Sequence, residues 1–242
     1  MKKIFTVKKD ATGNLIMATK NGLIKKTPLK EYDNIRKGGK IAIKLLDGDE
    51  LIGVDITSGR DDILIASHEG KCIRFNETDV RQVGRDSQGV KSMKLSENDA
   101  VIDMAIVREN GKIITISENG FGKQTDASEF RLQQRGGMGV KAGIFNEKTG
   151  KLVALKQIEE DSDLVMIADN GVIIRTHTDD ISTYSRLSQG VKIMKLRGNS
   201  KIVSVALTKR EDEEEVSDDE TLNEQEEQVE TTTETGEPTS EE

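Results

Sequence analysis

The sequence predicts an all-β, propeller-like array of about four four-stranded blades, followed by a disordered acidic tail. Three observations predict it: a repeat of about fifty residues that occurs four times, Asn-Gly or Glu-Gly turns between β-branched runs, and a change of charge after residue 210. No segment has a long apolar stripe of period 3.6, so helix should be minor. We place the repeats at about residues 10–57, 58–107, 108–158 and 159–209.

Two glycines define each repeat. The leading glycines are Gly22, Gly70, Gly120 and Gly171, which are 48, 50 and 51 residues apart. The second glycines are Gly39, Gly89, Gly139 and Gly190, at spacings of 50, 50 and 51. Four-stranded units of this length cannot bury their faces alone, which favours a radial array of blades. A β-solenoid is the alternative, although its rungs are usually much shorter.

Each repeat is predicted to contain four short strands. A β-branched run such as DDILIAS meets the turn, and a second strand such as KCIRF follows. Asn-Gly between apolar runs is a strong hairpin signal, because both residues tolerate positive φ. A longer polar loop leads to a third strand, GVKSMKL in the second repeat, and a fourth follows, AVIDMAIV. The opening KIFTVKK, residues 3–9, matches a fourth strand, so we expect an N-terminally truncated array.

The tail, residues 211–242, differs from the rest of the chain in charge. It holds 16 of the 44 acidic residues and none of the 36 Lys and Arg, with only Val216, Leu222 and Val229 as apolar side chains. So little apolar surface cannot offset the entropy of ordering, which predicts disorder. The tail either competes with phosphate for the basic surface of residues 1–210 or only keeps the chain soluble.

The residue inventory argues against an autonomous active site. Only His68 and His177 are available for a metal site or a Ser-His-Asp arrangement. The glycines at 137, 139 and 143 have the wrong spacing for a phosphate-binding loop, and no βαβ unit surrounds them. The single cysteine, Cys72, excludes an internal disulfide framework and fits a reducing, cytoplasmic setting. We expect no metal and no cofactor in this chain.

Positive charge recurs in one part of every repeat. From each leading glycine to the end of the third strand, the four repeats carry 21 Lys and Arg against 9 Asp and Glu, whereas the rest of residues 1–210 carries 15 against 19. Equivalent loops of a radial array lie on one surface, so the pattern predicts a basic track that suits the phosphates of duplex DNA. Sparse aromatic residues argue against single-stranded targets, and no recognition helix is evident.

Two other interpretations of the charge stay open. The cations could simply solubilise exposed loops. The array could also be a scaffold for proteins, like propellers of the kelch or chromosome-condensation-regulator type, although their Trp or paired-glycine signatures are missing.

The repeats NGLIKKTPLKEYDNIRKGGKIAIKLLDGDELIGVDITSG and EGKCIRFNETDVRQVGRDSQGVKSMKL resemble the C-terminal domains of DNA gyrase A subunits. The similarity covers roughly residues 3–209, and an acidic tail is typical of that family. The related subunit of topoisomerase IV is the alternative, with usually fewer blades and no such tail. The resemblance implies a β-pinwheel whose basic rim wraps duplex DNA.

The resemblance also implies partners and a setting. The complete enzyme is an ATP-dependent type II topoisomerase that introduces negative supercoils in the bacterial cytoplasm. It joins the remainder of the A subunit to the gyrase B subunit in an A2B2 complex, and ATP and Mg²⁺ are used elsewhere in it. The two tyrosines, Tyr32 and Tyr184, match nothing in the breakage site, so this chain should not cleave DNA alone.

The stretch QQRGGMG, residues 133–139, resembles the family's Q-R-R-G-G-K-G box. Gln134 and Met138 depart from that pattern, and the stretch lies in the third repeat rather than in the domain's first blade. We interpret it as a box-like loop that holds DNA, or alternatively as a glycine-rich loop between strands. The DNA-binding residues predicted for the whole chain are Lys25, Lys26, Arg36, Lys37, Lys40, Arg74, Arg81, Arg85, Lys91, Lys123, Arg131, Gln133, Arg135, Gly136, Gly137, Gly139, Lys141, Arg175, Arg186 and Lys192.

Overall fold

The computed structural model describes residues 6–8, 10–33, 37–108 and 110–210. The chain divides into Met1–Arg210 and Glu211–Glu242, and the predicted tail lies outside the described residues. So does most of the predicted opening strand, and its described part, residues 6–8, is not a strand. No helix in the described ranges is long and apolar enough to span a membrane.

Each repeat begins with an antiparallel hairpin and ends with a strand that pairs with the hairpin's first strand. The hairpins are β1 (Asn14–Thr19) with β2 (Leu23–Pro28), β4 (Asp62–Ser67) with β5 (Lys71–Asn76), β8 (Lys112–Ser117) with β9 (Phe121–Asp126), and β12 (Ser162–Ala168) with β13 (Ile173–His177). The closing strands are β3 (Leu51–Thr57), β7 (Val101–Val107), β11 (Leu152–Gln157) and β15 (Ile202–Lys209). The predicted turns are confirmed; at Gly120, for example, φ is +81°.

The third strands lie where they were expected, but they belong to a different sheet. They are only two residues long: β6 (Val90–Lys91), β10 (Val140–Lys141) and β14 (Val191–Lys192). Each pairs with the second strand of the preceding repeat, so that the first sheet has the order β3-β1-β2-β6. The expectation that each repeat forms its own four-stranded blade is therefore wrong, because the long polar loop carries the third strand to its neighbour. The fourth repeat's described sheet, β13-β12-β15, has three strands.

A short 3-10 helix follows each hairpin. The four helices are Leu29–Tyr32, Glu77–Asp79, Ala127–Glu129 and Thr178–Asp180. They end after one turn, and the chain then enters the loop that leads to the exchanged strand. Helix is as minor as the sequence predicts.

The core consists of apolar layers between neighbouring repeats. Between the first two repeats, Ile16 and Ile24 pack with Ile63, Ile65 and Phe75, all fully buried. Similar layers join the second repeat to the third and the third to the fourth. Burying each such side chain stabilises the fold by about 1.5–3 kcal/mol. The repeats therefore stabilise one another, which confirms the predicted all-β, propeller-like array.

Candidate nucleic-acid interface

The exchanged strands form the outer edge of the array. The closing strands β3, β7, β11 and β15 contact one another in series, so they form its inner wall. In each four-stranded sheet the exchanged strand lies at the opposite end. The most basic segment of each repeat thus contributes to the outer surface.

Three exposed lysines occupy the same position on this edge. We call Lys91, Lys141 and Lys192 the outer lysines; each is the second residue of its exchanged strand and is solvent-exposed. Among the described residues none of their ammonium groups forms an ion pair, although that of Lys192 lies 5.4 Å from the centre of the Phe121 ring. Three uncompensated charges at one repeated position suit a regularly spaced polyanion.

Two of the predicted DNA-binding lysines are buried instead. Lys25 is fully buried, and its Nζ donates to the carbonyl oxygen of Ala42 at 2.8 Å and to that of Arg85. Lys123 is 2% exposed, and its Nζ donates to three carbonyl oxygens of the loop at residues 185–188. Burial lowers the pKa of each lysine to about 8. Their charges hold loops in shape rather than facing solvent.

The residues next to them connect neighbouring repeats. Lys26 donates to the carbonyl oxygen of Glu77 at 2.6 Å, and Arg74 donates to that of Ala127 at 2.9 Å. Both acceptors belong to the 3-10 helix of the next repeat. At the equivalent position in the third repeat, Gln124 donates to the helix residue Thr178. A basic charge is thus not required here; a long hydrogen-bond donor is.

The loop arginines position the exchanged strands. The Nη1 atom of Arg85 donates to the carbonyl oxygen of Ile41 at 2.6 Å, and that of Arg135 donates to Lys91 at 2.9 Å. Arg186 makes the same contact with Lys141. Each arginine therefore binds the backbone of the exchanged-strand segment in the repeat before it. For Lys91 and Lys141 this fixes the residue that presents an outer lysine.

The remaining predicted cations differ in their surroundings. Lys37, Arg81 and Arg131 are exposed, and Lys40 is exposed while donating to the carbonyl oxygen of Asp33. Arg175 forms an ion pair with Asp163, with Nε to oxygen at 2.7 Å. Arg36 lies outside the described residues.

The box-like stretch is a tightly packed loop. The amide of Gly136 donates to the carbonyl oxygen of Ser92 at 2.6 Å, and the carbonyl of Gly137 accepts from the amide of Lys94 at 2.8 Å. At Gly139, where φ is +70°, a Cβ atom would lie 2.2 Å from the carbonyl oxygen of Cys72. These contacts account for the glycines structurally. Gln133 is half-buried, and its amide donates to the carbonyl oxygen of Arg74.

The histidines form ion pairs within the array. His68 Nε2 lies 3.4 Å from Glu118, and His177 Nδ1 lies 2.6 Å from Asp163. The hydrogen bond to His177, together with Arg175, holds the pKa of Asp163 below its usual value. Within the described ranges no three His, Cys, Asp or Glu side chains form a group that could hold a metal ion.

The sequence analysis missed a second row of exposed cations. Lys44, Lys94 and Lys195 are exposed and lie five residues after the second glycine of their repeats. The amide of Lys44 donates to the carbonyl oxygen of Ser87, which ties this row to the next repeat's loop. Its recurrence in three repeats was the signal that could have revealed it.

The sequence profile of the family described as "DNA gyrase C-terminal domain, beta-propeller" matches residues 13–58, 61–108, 111–159 and 162–209. The A subunit of DNA gyrase from Escherichia coli (strain K12) is 40% identical over 191 residues, which are 79% of this chain and 22% of that protein. The chain thus spans less than a quarter of the length of this relative.

Two solved structures share the fold. The C-terminal domain of DNA topoisomerase IV superposes with a TM-score of 0.77 at 24% identity, covering 84% of this chain and 64% of that one. The DNA gyrase A C-terminal domain superposes with a TM-score of 0.70 at 29% identity, covering 79% and 64%. The profile matches most of the chain, repeat by repeat, and the gyrase A domain shares its β-pinwheel architecture. The chain belongs to the DNA gyrase C-terminal domain family.

Proposed function

We propose that this chain binds duplex DNA along its outer edge and wraps it without reading its sequence. The observation that carries the proposal is the recurrence of the outer lysines at one position of three successive sheets. Exposed Lys37, Arg81 and Arg131 extend the same basic surface. The buried cations act indirectly, because they hold the loops and strands that present the exposed ones.

Backbone binding fits the chemistry of this edge. Ammonium groups that neutralise phosphates gain free energy mainly by releasing counterions, which does not depend on base sequence. Bending a site of 20–30 bp costs about 1–6 kcal/mol, so several such contacts are needed. Phe75 and Phe130 are buried and Phe121 is 9% exposed, so these rings offer no platform for stacking bases. Duplex DNA is therefore favoured over a single strand.

The family places this activity in a larger enzyme. We propose that the chain acts as the C-terminal part of a gyrase A subunit, in an A2B2 complex with gyrase B subunits in the bacterial cytoplasm. Wrapping would then supply the DNA crossing that an ATP-dependent type II topoisomerase converts into negative supercoils. The 40% identity to a gyrase A subunit supports this assignment over topoisomerase IV, whose domain at 24% identity shows the fold alone. On its own the chain is proposed neither to cleave DNA nor to supercoil it.

A nick-closing assay tests the proposed wrapping. A nicked plasmid is incubated with the chain and sealed with ligase, and the distribution of linking numbers is read after the protein is removed. Wrapping shifts the distribution in proportion to bound protein. The variant with Lys→Gln at all three outer lysines should lose most of the shift.

The control changes three other exposed lysines in the same way. Lys20, Lys151 and Lys201, which we call the paired lysines, contact Glu50, Glu69 and Glu118 respectively. Their replacement by Gln removes the same formal charge from lysines that already have acidic partners, and should leave the shift intact. If the wild type gives no shift, or if both triple variants lose it equally, the proposal fails.

A further inference from the structure

The same junction joins neighbouring repeats three times. An exchanged strand lies antiparallel to the second strand of the repeat before it, and the residue after that strand donates its amide proton to the leading glycine's carbonyl oxygen. The paired residues are Leu23 with Lys91, Lys71 with Lys141, and Phe121 with Lys192. The amide bonds run from Ser92 to Gly22, from Ala142 to Gly70 and from Ile193 to Gly120, at 2.8, 2.8 and 2.9 Å.

The fourth repeat has the accepting strand but no exchanged strand within the described residues. At the edge of β13, Ile173 is 62% exposed, whereas Ile24 and Cys72, at the equivalent position, are fully buried. A Cβ atom added to Gly171 would meet nothing within 4 Å, although at Gly120 it would lie 2.2 Å from the carbonyl oxygen of Met194. This strand edge is therefore open and apolar, the kind of edge to which another strand adds.

The first repeat has the opposite surplus. Residues 39–45, GKIAIKL, align with residues 89–95 but pair with no strand among the described residues. They already have the geometry of an exchanged strand, because Arg85 binds the carbonyl of Ile41 just as Arg135 binds that of Lys91. Gly39 has a φ of +76°, equal to that of Gly190, and a Cβ atom there would also meet nothing within 4 Å.

We propose that residues 39–45 of one copy of this chain add to strand β13 of a second copy, in the register of the three internal junctions. Val172 then pairs with Ile41, and the amide of Ala42 donates to the carbonyl oxygen of Gly171. Ile43 takes the position of Met93 and Met194, which are nearly fully buried in their junctions. The added strand covers Ile173, the most exposed apolar residue of the β13 edge.

The occupant is a second copy because the two open ends are complementary and lie on one chain. A match between two different surfaces is a head-to-tail contact, which extends into a chain of copies or closes into a ring. This inference is independent of the proposed DNA binding, since it concerns strand edges rather than the outer lysines.

Sedimentation of the 242-residue chain without DNA, over a range of concentrations at physiological ionic strength, tests the proposal. The average mass should rise with concentration. Gly39→Ala and Gly171→Ala should each weaken association at least about tenfold, a difference of 1.4 kcal/mol. At the equivalent Gly89, a Cβ atom would lie 2.6 Å from the carbonyl oxygen of Ile24. Gly48→Ala is the matched control, because φ there is +75° and its Cβ atom also meets nothing within 4 Å.

Mixing the two variants distinguishes strand addition from general adhesion. Each variant keeps one functional end, so an equal mixture of Gly39→Ala and Gly171→Ala should form heterodimers that do not grow further. A monomer at every concentration would overturn the proposal. So would association of both variants at the wild-type strength, or a mixture with no heterodimer.

Discussion

Replacing Lys123 by methionine tests the structural role of the buried lysines. The side chain is 2% exposed, and its Nζ donates to the carbonyl oxygens of Ser185, Arg186 and Ser188. Methionine has a similar length but no donor, so three carbonyl groups lose their partner together. A buried polar group left without a partner costs about 1–3 kcal/mol, and part of this is recovered where water enters the loop. We expect the free energy of unfolding to fall by about 3–5 kcal/mol.

Urea denaturation followed by circular dichroism measures this loss. Tyr184 adjoins the affected loop and is one of only two tyrosines in a chain without tryptophan, so tyrosine fluorescence reports on the loop. The matched control is Lys195→Met, which removes a charge from an exposed side chain. That variant should change the free energy of unfolding by less than about 0.5 kcal/mol.

A small effect of Lys123→Met would refute this reasoning. A loss below about 1 kcal/mol is the size expected of an ordinary hydrogen bond, not of a buried cation shared by three carbonyls. Lys123 would then have to reach solvent, and its place among the DNA-binding residues would be restored.

Three further outcomes are expected. Gly139→Ala should destabilise the fold by about 2–4 kcal/mol, because its Cβ atom would lie 2.2 Å from the Cys72 carbonyl oxygen at positive φ; Gly198→Ala, in open space at φ +59°, should cost only about 1–2 kcal/mol, and equal losses in urea denaturation would contradict the clash. Burial raises the pKa of the Cys72 thiol to about 12, so it should react with a thiol reagent at pH 8 only after unfolding, and rapid labelling of the folded chain would contradict this. Removing residues 211–242 should tighten DNA binding at low salt and matter little at high salt, because salt screens competition between tail and phosphate; unchanged affinity at low salt would remove that idea.

The hairpins and closing strands could be predicted from the sequence because their signals are local. Turn glycines such as Gly120 and β-branched runs such as 162–168 specify a hairpin without reference to the rest of the chain. The partner of an exchanged strand is not a local property. Nothing in GVKSMKL indicates that Val90 pairs with Ile24 of the preceding repeat rather than within its own.

The division between structural and exposed cations was only partly predictable. Lys123 and Lys141 are the same residue type in the same basic segment, yet one is buried and the other is exposed. The three-residue offset from the leading glycine gives Lys25, Ile73, Lys123 and Ile174 in the four repeats. Isoleucine at two of these positions indicates an inward-facing site, which total charge does not reveal. The outer lysines follow valine at a position with no such apolar counterpart in the last three repeats.

The salt dependence of duplex affinity tests most directly whether the outer lysines contact phosphates. For duplex DNA the slope of log affinity against log salt is about 0.9 for each neutralised phosphate. Replacing all three outer lysines by Gln should reduce that slope by about 2.7, while replacing the paired lysines should leave it unchanged. Equal slopes for the wild type and the outer-lysine variant would contradict the account.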